Sequence, residues 1–422
     1  MLKSLSARVL IALFLGLGVG AWLRAAGTPD IIAAANTLES LGELWLNALR
    51  MTVVPLIFAI LVTGIATVAD AASTGRLAVR ALTLFTIFIF GAAIYATFAV
   101  QGLIALWPID RAAAQAFTAG VSAPDLAALK PPGLGDWIKS LAPSNPIKAA
   151  AEDAILPLVV FAVFFGFAAT RLEAGLRVPL VHFFRAVGET MIVIVHWVLL
   201  AAPIGVFALS LGVGLHAGIG AASVLAQYVA IVSLVTIGII TIAYVLAVVL
   251  GSVPLPKFLR AMAPVTAVAF STQSSLASLP AMLEASRSAL GIPARITDLV
   301  LPLAVAVFRF TSPVANLAAA YVILHLYGIQ PTAAQMITAI VVSFAVSVAA
   351  VGLPGQVSFV VSMAPICVAL GAPLEILAIL IAVEVVPDIF RTIGNVTGDV
   401  MATAAVQKRS EKDALPPAQL RL

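Results

Sequence analysis

Three carboxylates and a guanidinium lie in an apolar stretch near the C-terminus, Leu374 to Val406: Glu384, Asp388, Arg391 and Asp399, with Thr392 and Asn395 among them. Steps of three and four put all of them on one face of an α-helix. The remaining positions are mostly Ile, Leu, Val and Ala, and the stretch is long enough to cross a bilayer core. A charge at the bilayer centre costs roughly 2.5–3.5 kcal/mol on the most lenient scale, so this seam facing lipid would cost on the order of 10 kcal/mol. It must therefore face protein or a water-filled pocket. Such a seam is either a structural ion-pair ladder or a site for a solute or ion, and intramembrane ionisable groups favour the second.

The elements that hold this seam are membrane helices. Of 422 residues, 62% are hydrophobic and only 10% charged, with a mean hydropathy of +1.14. A soluble fold cannot hide that much apolar surface. The net charge of +4 is small, and no basic patch with interleaved aromatics is present, so no nucleic-acid partner is expected. The single cysteine, Cys367, excludes an internal disulfide and any cysteine-based metal site. His182, His196, His216 and His325 are scattered without ligand spacing. No cofactor and no metal centre are expected. An intramembrane protease would need Ser–His, paired Asp or metal-binding His motifs on facing helices, and no histidine lies in the seam; the chain is not expected to be an enzyme.

Apolar runs cover Ala7–Ala25, Leu41–Val68, Ala81–Leu106, Ala154–Ala169, Val187–Gly212, Ala222–Leu250 and Leu299–His325, then the seam. Two further runs are interrupted: Pro264–Ala281 by Ser271 to Ser275, and Ile337–Leu370 by Gly352, Pro354, Gly355, Gln356 and Ser358. Backbone freed by such breaks is tolerable only inside protein or beside an aqueous cavity. Each reads as a re-entrant helical hairpin with its polar tip near mid-membrane, and such a pair points to a transporter binding site.

Arg76, Arg80, Arg171, Arg177, Arg185, Lys257 and Arg260 fall in breaks assigned to the cytoplasm. Lys3, Arg8, Lys408, Arg409 and Lys412 place both termini there too. The first run has features of a signal peptide, but the topology works best if it remains a span. Pro387 removes one helical hydrogen bond beside Asp388 and Arg391, which predicts a local kink. The tail after Gln407 reads as a disordered cytoplasmic end.

Several motifs bear a resemblance. Pro143-Ser-Asn-Pro146 with Ile155-Leu-Pro157, Ala202-Pro-Ile-Gly-Val-Phe-Ala-Leu209, Ser278-Leu-Pro280, Gly352-Leu-Pro-Gly355 and above all Asp388-Ile-Phe-Arg-Thr-Ile-Gly-Asn-Val-Thr-Gly-Asp399 resemble the dicarboxylate/amino acid:cation symporters. The resemblance runs from the first span to about Gln407. It implies an all-α polytopic membrane protein of the glutamate-transporter fold, with eight transmembrane helices, two re-entrant hairpins and inverted repeats. It also implies a homotrimer in a plasma (bacterial inner) membrane, in contact with lipid. Residues 1–253 would hold the scaffold helices together with transport-domain spans three and six (81–106 and 222–250). Residues 254–407 would form the transport core that slides across the membrane, and 408–422 the cytoplasmic tail.

Carried over by motif, Arg391 matches the position that holds a substrate's side-chain carboxylate, and its planar fork suits two carboxylate oxygens. Asp388 matches the partner of an α-amino group. A plain dicarboxylate has no ammonium, so this pair favours aspartate or glutamate over succinate or malate, with a C4-dicarboxylate carrier as the alternative. Thr392 and Asn395 would bind the α-carboxylate and amino group. Ser274 and Ser275 at the first tip, and Leu353 and Gly355 at the second, would complete the site. Ser312 would keep a hydroxyl near the substrate, and Val357, where the family has glycine, would tighten the pocket. Asp388 and Arg391 also fit an internal i,i+3 ion pair.

The chain departs from the family at span seven. Sodium-using members carry Asn-Met-Asp-Gly-Thr there, and this chain reads Phe308-Arg-Phe-Thr-Ser312. Hard cations need oxygen ligands, and phenylalanine offers none. Ala350, and by an ungapped alignment Phe88, Gly91 and Ala92, also stand where hydroxyls are common. Asn395 and Asp399, part of one family sodium site, remain. Arg309 is expected to pair with Asp399 as a tethered cation in place of sodium; the alternative is that it snorkels or packs. Glu384, buried and one turn before Asp388, is the first candidate for a proton carrier. Proton coupling is favoured, with sodium coupling and uncoupled exchange as alternatives.

Overall fold

The computed structural model describes residues 5–73, 75–119, 143–152, 155–217, 220–349 and 355–414. Among them every regular element is helical. In hydrocarbon this follows from the backbone, whose N–H and C=O groups must all be paired within the segment. The N-terminal helices are α1 (Leu5–Ala26), α2 (Pro29–Arg50), α3 (Val53–Ser73), α4 (Arg76–Leu106), α5 (Arg111–Ala119), α6 (Pro146–Ala151), α7 (Ile155–Ala169), α8 (Ala174–Leu200) and α9 (Ala202–Ala217). There follow α10 (Gly220–Val249), α11 (Leu255–Thr272), α12 (Leu279–Glu284) with a π-helical turn Ala285–Ala289, α13 (Ala294–Val307), α14 (Ser312–Leu326), α15 (Ala333–Ala349), α16 (Gly355–Leu370), α17 (Leu377–Val383) and α18 (Val385–Ala414).

Among the described residues, six helical stretches are long and apolar enough to cross a membrane, including the broken pair α13–α14. The outer surface agrees: Phe14, Phe98, Phe164, Phe167 and Trp197 are all more than half exposed, an arrangement that lipid tails cover and water would not. The chain is a multi-pass membrane protein.

Four apolar runs read as continuous are divided. The run Leu41–Val68 breaks at Met51 and Thr52, Val187–Gly212 at Ala201, Leu299–His325 at Phe308–Thr311, and the seam at Glu384. The last two breaks have a common cause. Pro313 and Pro387 have no N–H to offer the carbonyls four residues back, those of Arg309 and Val383. The Arg309 carbonyl instead accepts from Ser312 N at 3.1 Å, and Pro313 sits in the first turn of α14, where no donor is needed. The expected disordered tail after Gln407 begins as helix, since α18 continues to Ala414; residues 415–422 lie outside the described residues.

Both interrupted runs fold back on themselves. At the base of the first, Lys257 Nζ donates to the Leu290 carbonyl at 3.2 Å, so entry and exit lie on one side. Its tip turns at Gln273, whose φ of 49° is left-handed and whose N–H closes α11 on the Ala269 carbonyl at 2.9 Å. The second is tied likewise by Gln335 Nε2 to the Leu370 carbonyl at 3.3 Å; its tip, with Leu353 and Ala350, lies outside the described residues.

Two sets of helices emerge from the packing. In one, α9 lies between α1 and α2, and α3 packs on α7 and α8. In the other, α18 is enclosed by α10, α11 and α13, while α14 packs on α4, α10, α15 and α16. The buried charges belong to the second set, on α18 and at its junction with α17.

Candidate functional site

Arg391 is 1% exposed although it carries a permanent charge. Its Nη2 donates to Glu384 Oε1 at 2.6 Å and to Asn316 Oδ1 at 3.2 Å. The second Glu384 oxygen accepts from the Tyr228 hydroxyl at 3.1 Å. Glu384 and Arg391 are seven residues apart, two helical turns, and the break at Glu384 leaves the carboxylate at the near end of the guanidinium. Four elements build this cluster: α10 brings Tyr228, α14 brings Asn316, α18 brings Arg391, and the α17–α18 junction brings Glu384.

The expected Asp388–Arg391 pair is present but long, with Nη1 at 3.9 Å from Oδ1. The short partner is Glu384, so the internal i,i+3 pairing is the lesser contact. Among the described residues, Arg391 Nε is buried with no hydrogen-bond partner. The guanidinium thus keeps donor capacity in reserve on the side that Glu384 does not fill. An unmet buried donor is costly, and a carboxylate ligand would satisfy it.

The hydroxyl and amide groups around Arg391 are engaged within the protein. Thr392 Oγ1 donates to the Asp388 carbonyl at 2.9 Å. Asn395 Oδ1 accepts from Thr311 N and lies 2.9 Å from its hydroxyl, which is also 2.7 Å from the Arg391 carbonyl. Asn395 therefore holds the span-seven break against α18. That contact needs the glycines on α18: a Cβ on Gly394 would lie 2.3 Å from Thr311 Cγ2, and one on Gly398 would lie 2.9 Å from the Cβ of Phe310. Gly394→Ala is expected to destabilise the protein by about 1–3 kcal/mol and to weaken substrate binding. A thermal melt in detergent checks it, and an unchanged midpoint would contradict the close approach.

At the break itself, Arg309 is half-buried and its Nε donates to Ser312 Oγ at 3.2 Å. Ser312 is thereby engaged by Arg309. Asp399 is 1% exposed, and among the described residues neither of its oxygens has a hydrogen-bond partner. The expected Arg309–Asp399 pair is thus not a hydrogen-bonded one; Arg309 acts through space on both Asp388 and Asp399. Phe308 stacks on Phe85 at 4.5 Å between ring centroids, with Phe310 at 5.6 Å and Phe88 at 6.2 Å. Where the family pattern carries oxygen ligands, this chain packs four rings.

At the first tip, Ser274 and Ser275 are half-buried. Ser274 Oγ accepts from Ala277 N at 3.2 Å, and Ser278 Oγ donates to the Ser274 carbonyl at 2.9 Å, so these hydroxyls shape the turn. Leu353 lies outside the described residues; Gly355 opens α16, which also contains Val357. Tyr228, Asn316 and Thr311 were not anticipated from the sequence. Asn316 carries a signal, a lone amide in the apolar run after Pro313; Tyr228, on a distant helix, carries none.

The sodium:dicarboxylate symporter family matches residues 5–409, nearly the whole chain. The chain belongs to the sodium:dicarboxylate symporter family. Within this symporter family it is 30% identical to the proton/glutamate-aspartate symporter of Escherichia coli (strain K12), over 97% of this chain and 93% of the relative. It is 27% identical to the proton/sodium-glutamate symport protein of Geobacillus stearothermophilus, over 95% and 93% of the two chains. A C4-dicarboxylate transport protein of Bacillus subtilis (strain 168) is 28% identical over 96% and 93%.

Proposed function

We propose that this symporter imports an acidic amino acid, aspartate or glutamate, together with a proton. The observation that carries the proposal is the buried Arg391, held by Glu384 and Asn316 and left with an unpartnered Nε. A substrate carboxylate suits those donors, and Asp388, 3.9 Å from Nη1, suits an α-ammonium alongside. The similarity to a glutamate-aspartate symporter supports the same substrates; the similarity to a C4-dicarboxylate protein keeps succinate as the second reading.

Coupling follows from competition for one guanidinium. An ionised Glu384 displaced by a substrate carboxylate becomes a buried unpaired charge, and breaking a buried pair costs about 3–5 kcal/mol. That penalty weakens binding by roughly two to four orders of magnitude. A proton on Glu384 removes it. Once the substrate has left, Glu384 deprotonates and closes on Arg391, so the empty site crosses the membrane with that charge paired. The four rings around Phe308 and the nearby Arg309 support a site that works without sodium. Replacing sodium by choline is expected to change uptake by less than about twofold, whereas full bound-sodium stabilisation of about 2.7 kcal/mol at a hundredfold excess over its dissociation constant would appear as a sodium-dependent melting point.

Eight spans with two re-entrant hairpins, both termini in the cytoplasm, a homotrimer in the inner membrane, and transport by sliding of α4 and α10–α18 against the remaining helices complete the reading. The two packing sets support that division. Competition with radiolabelled L-aspartate uptake tests the substrate class. L-glutamate should displace the label and serine should not; displacement by succinate at lower concentration than by glutamate would overturn the amino-acid assignment.

A further inference from the structure

We infer that Tyr228 is the positioning residue of the proton step: its hydroxyl holds Glu384 in both protonation states and so sets the pH at which Arg391 becomes available. This rests on the role proposed for Glu384. Tyr228 is fully buried, comes from α10, and meets Glu384 Oε2 at 3.1 Å across 156 residues of sequence. A tyrosine hydroxyl both donates and accepts. It donates to the carboxylate while Oε1 is engaged by Arg391. When a proton arrives on Oε2, the same hydroxyl can rotate and accept from the new O–H. Glu384 is then retained on the α10 side while its hold on Arg391 weakens.

Asn316 complements this on the other side. Its Oδ1 accepts from Arg391 Nη2 at 3.2 Å, so the guanidinium stays in place when the pair parts. Among the described residues, the charged and titratable groups facing Glu384 are Arg391 and Asp388 on α18 and Tyr228 on α10; Cys367 on α16 lies near Tyr228. Of these, only Tyr228 touches the oxygen that Arg391 does not.

Tyr228→Phe removes the hydroxyl and keeps the ring. A hydrogen bond to the carboxylate is stronger than one to the protonated acid, so losing both should move the pH of half-maximal aspartate uptake upward by about one unit. At a pH low enough that uptake no longer varies with pH in either protein, affinity should stay within about twofold. In a Glu384→Gln background the same change should have no effect on the pH profile. Fluorotyrosine at position 228, a stronger donor that keeps the fold, should move the profile downward, and it decides the matter if Tyr228→Phe fails to assemble. A profile unmoved by either substitution would overturn the role of Tyr228. If instead wild-type uptake has no pH dependence that Glu384→Gln removes, the proton role of Glu384 fails first, and the inference falls with it.

Discussion

Arg391→Ala is expected to lower acidic amino-acid uptake by at least about 100-fold, since two charge-assisted hydrogen bonds of about 1.5–3 kcal/mol each are lost. It should also destabilise the protein, because Glu384 then keeps a buried charge with, among the described residues, only the Tyr228 hydroxyl for a partner; removing one member of a buried pair costs about 3–5 kcal/mol. The two effects are separable. Adding Glu384→Gln to Arg391→Ala replaces the stranded carboxylate with a neutral amide, so the melting point should recover while uptake does not. Uptake restored in the double variant would mean that Arg391 serves the fold and not the substrate. Normal aspartate affinity in Arg391→Ala itself would remove the basis of the proposed site.

Glu384→Gln alone separates transport from coupling. The amide resembles the protonated acid, so Arg391 is free for substrate at every pH, and exchange of external labelled aspartate against internal aspartate should continue. Net accumulation driven by a proton gradient should fall at least about tenfold, because the empty site would have to cross with Arg391 stripped of its short ion pair and left with the 3.9 Å contact to Asp388, a penalty of up to about 3–5 kcal/mol by the cost of a broken buried pair. Exchange and net uptake measured in the same proteoliposomes check this. Equal loss of both would assign Glu384 to binding, and equal retention would assign the proton elsewhere.

The seam on α18 was legible in the sequence because a helix repeats every three to four residues and lipid makes stray charges costly. The folded-back runs were legible for a related reason, since Ser-rich and Gly-Pro interruptions in apolar runs have few other uses. Partner choice was not legible. Spacing favoured Asp388 for Arg391, yet Pro387 interrupts the helix at Glu384 and the short contact goes to that residue. The same limit applies to Arg309, whose Nε bonds to Ser312 three residues on rather than to Asp399. Asn316 and Tyr228 reach Arg391 and Glu384 from other helices, so their roles depend on packing that no local period reports.

The aromatic cluster turns a departure from the family pattern into a physical statement. Phe308 and Phe310 are each 1% exposed; Phe308 is stacked or tilted on the α4 rings Phe85 and Phe88, and Phe310 is tilted on Phe308 and packs against Gly398, next to Asp399, so these positions offer a cation no oxygen. With Arg309 permanently charged nearby, a mobile cation at that end of the site would meet a like charge. The proton carrier proposed above is Glu384, the carboxylate in short contact with Arg391.

The central claim, a proton carried with an acidic amino acid, is tested most directly by radiolabelled L-aspartate uptake into proteoliposomes with an imposed inward proton gradient and no sodium on either side. Accumulation above the equilibrium level that collapses when the proton gradient is dissipated is the predicted result. Accumulation that appears only with an imposed sodium gradient would contradict it.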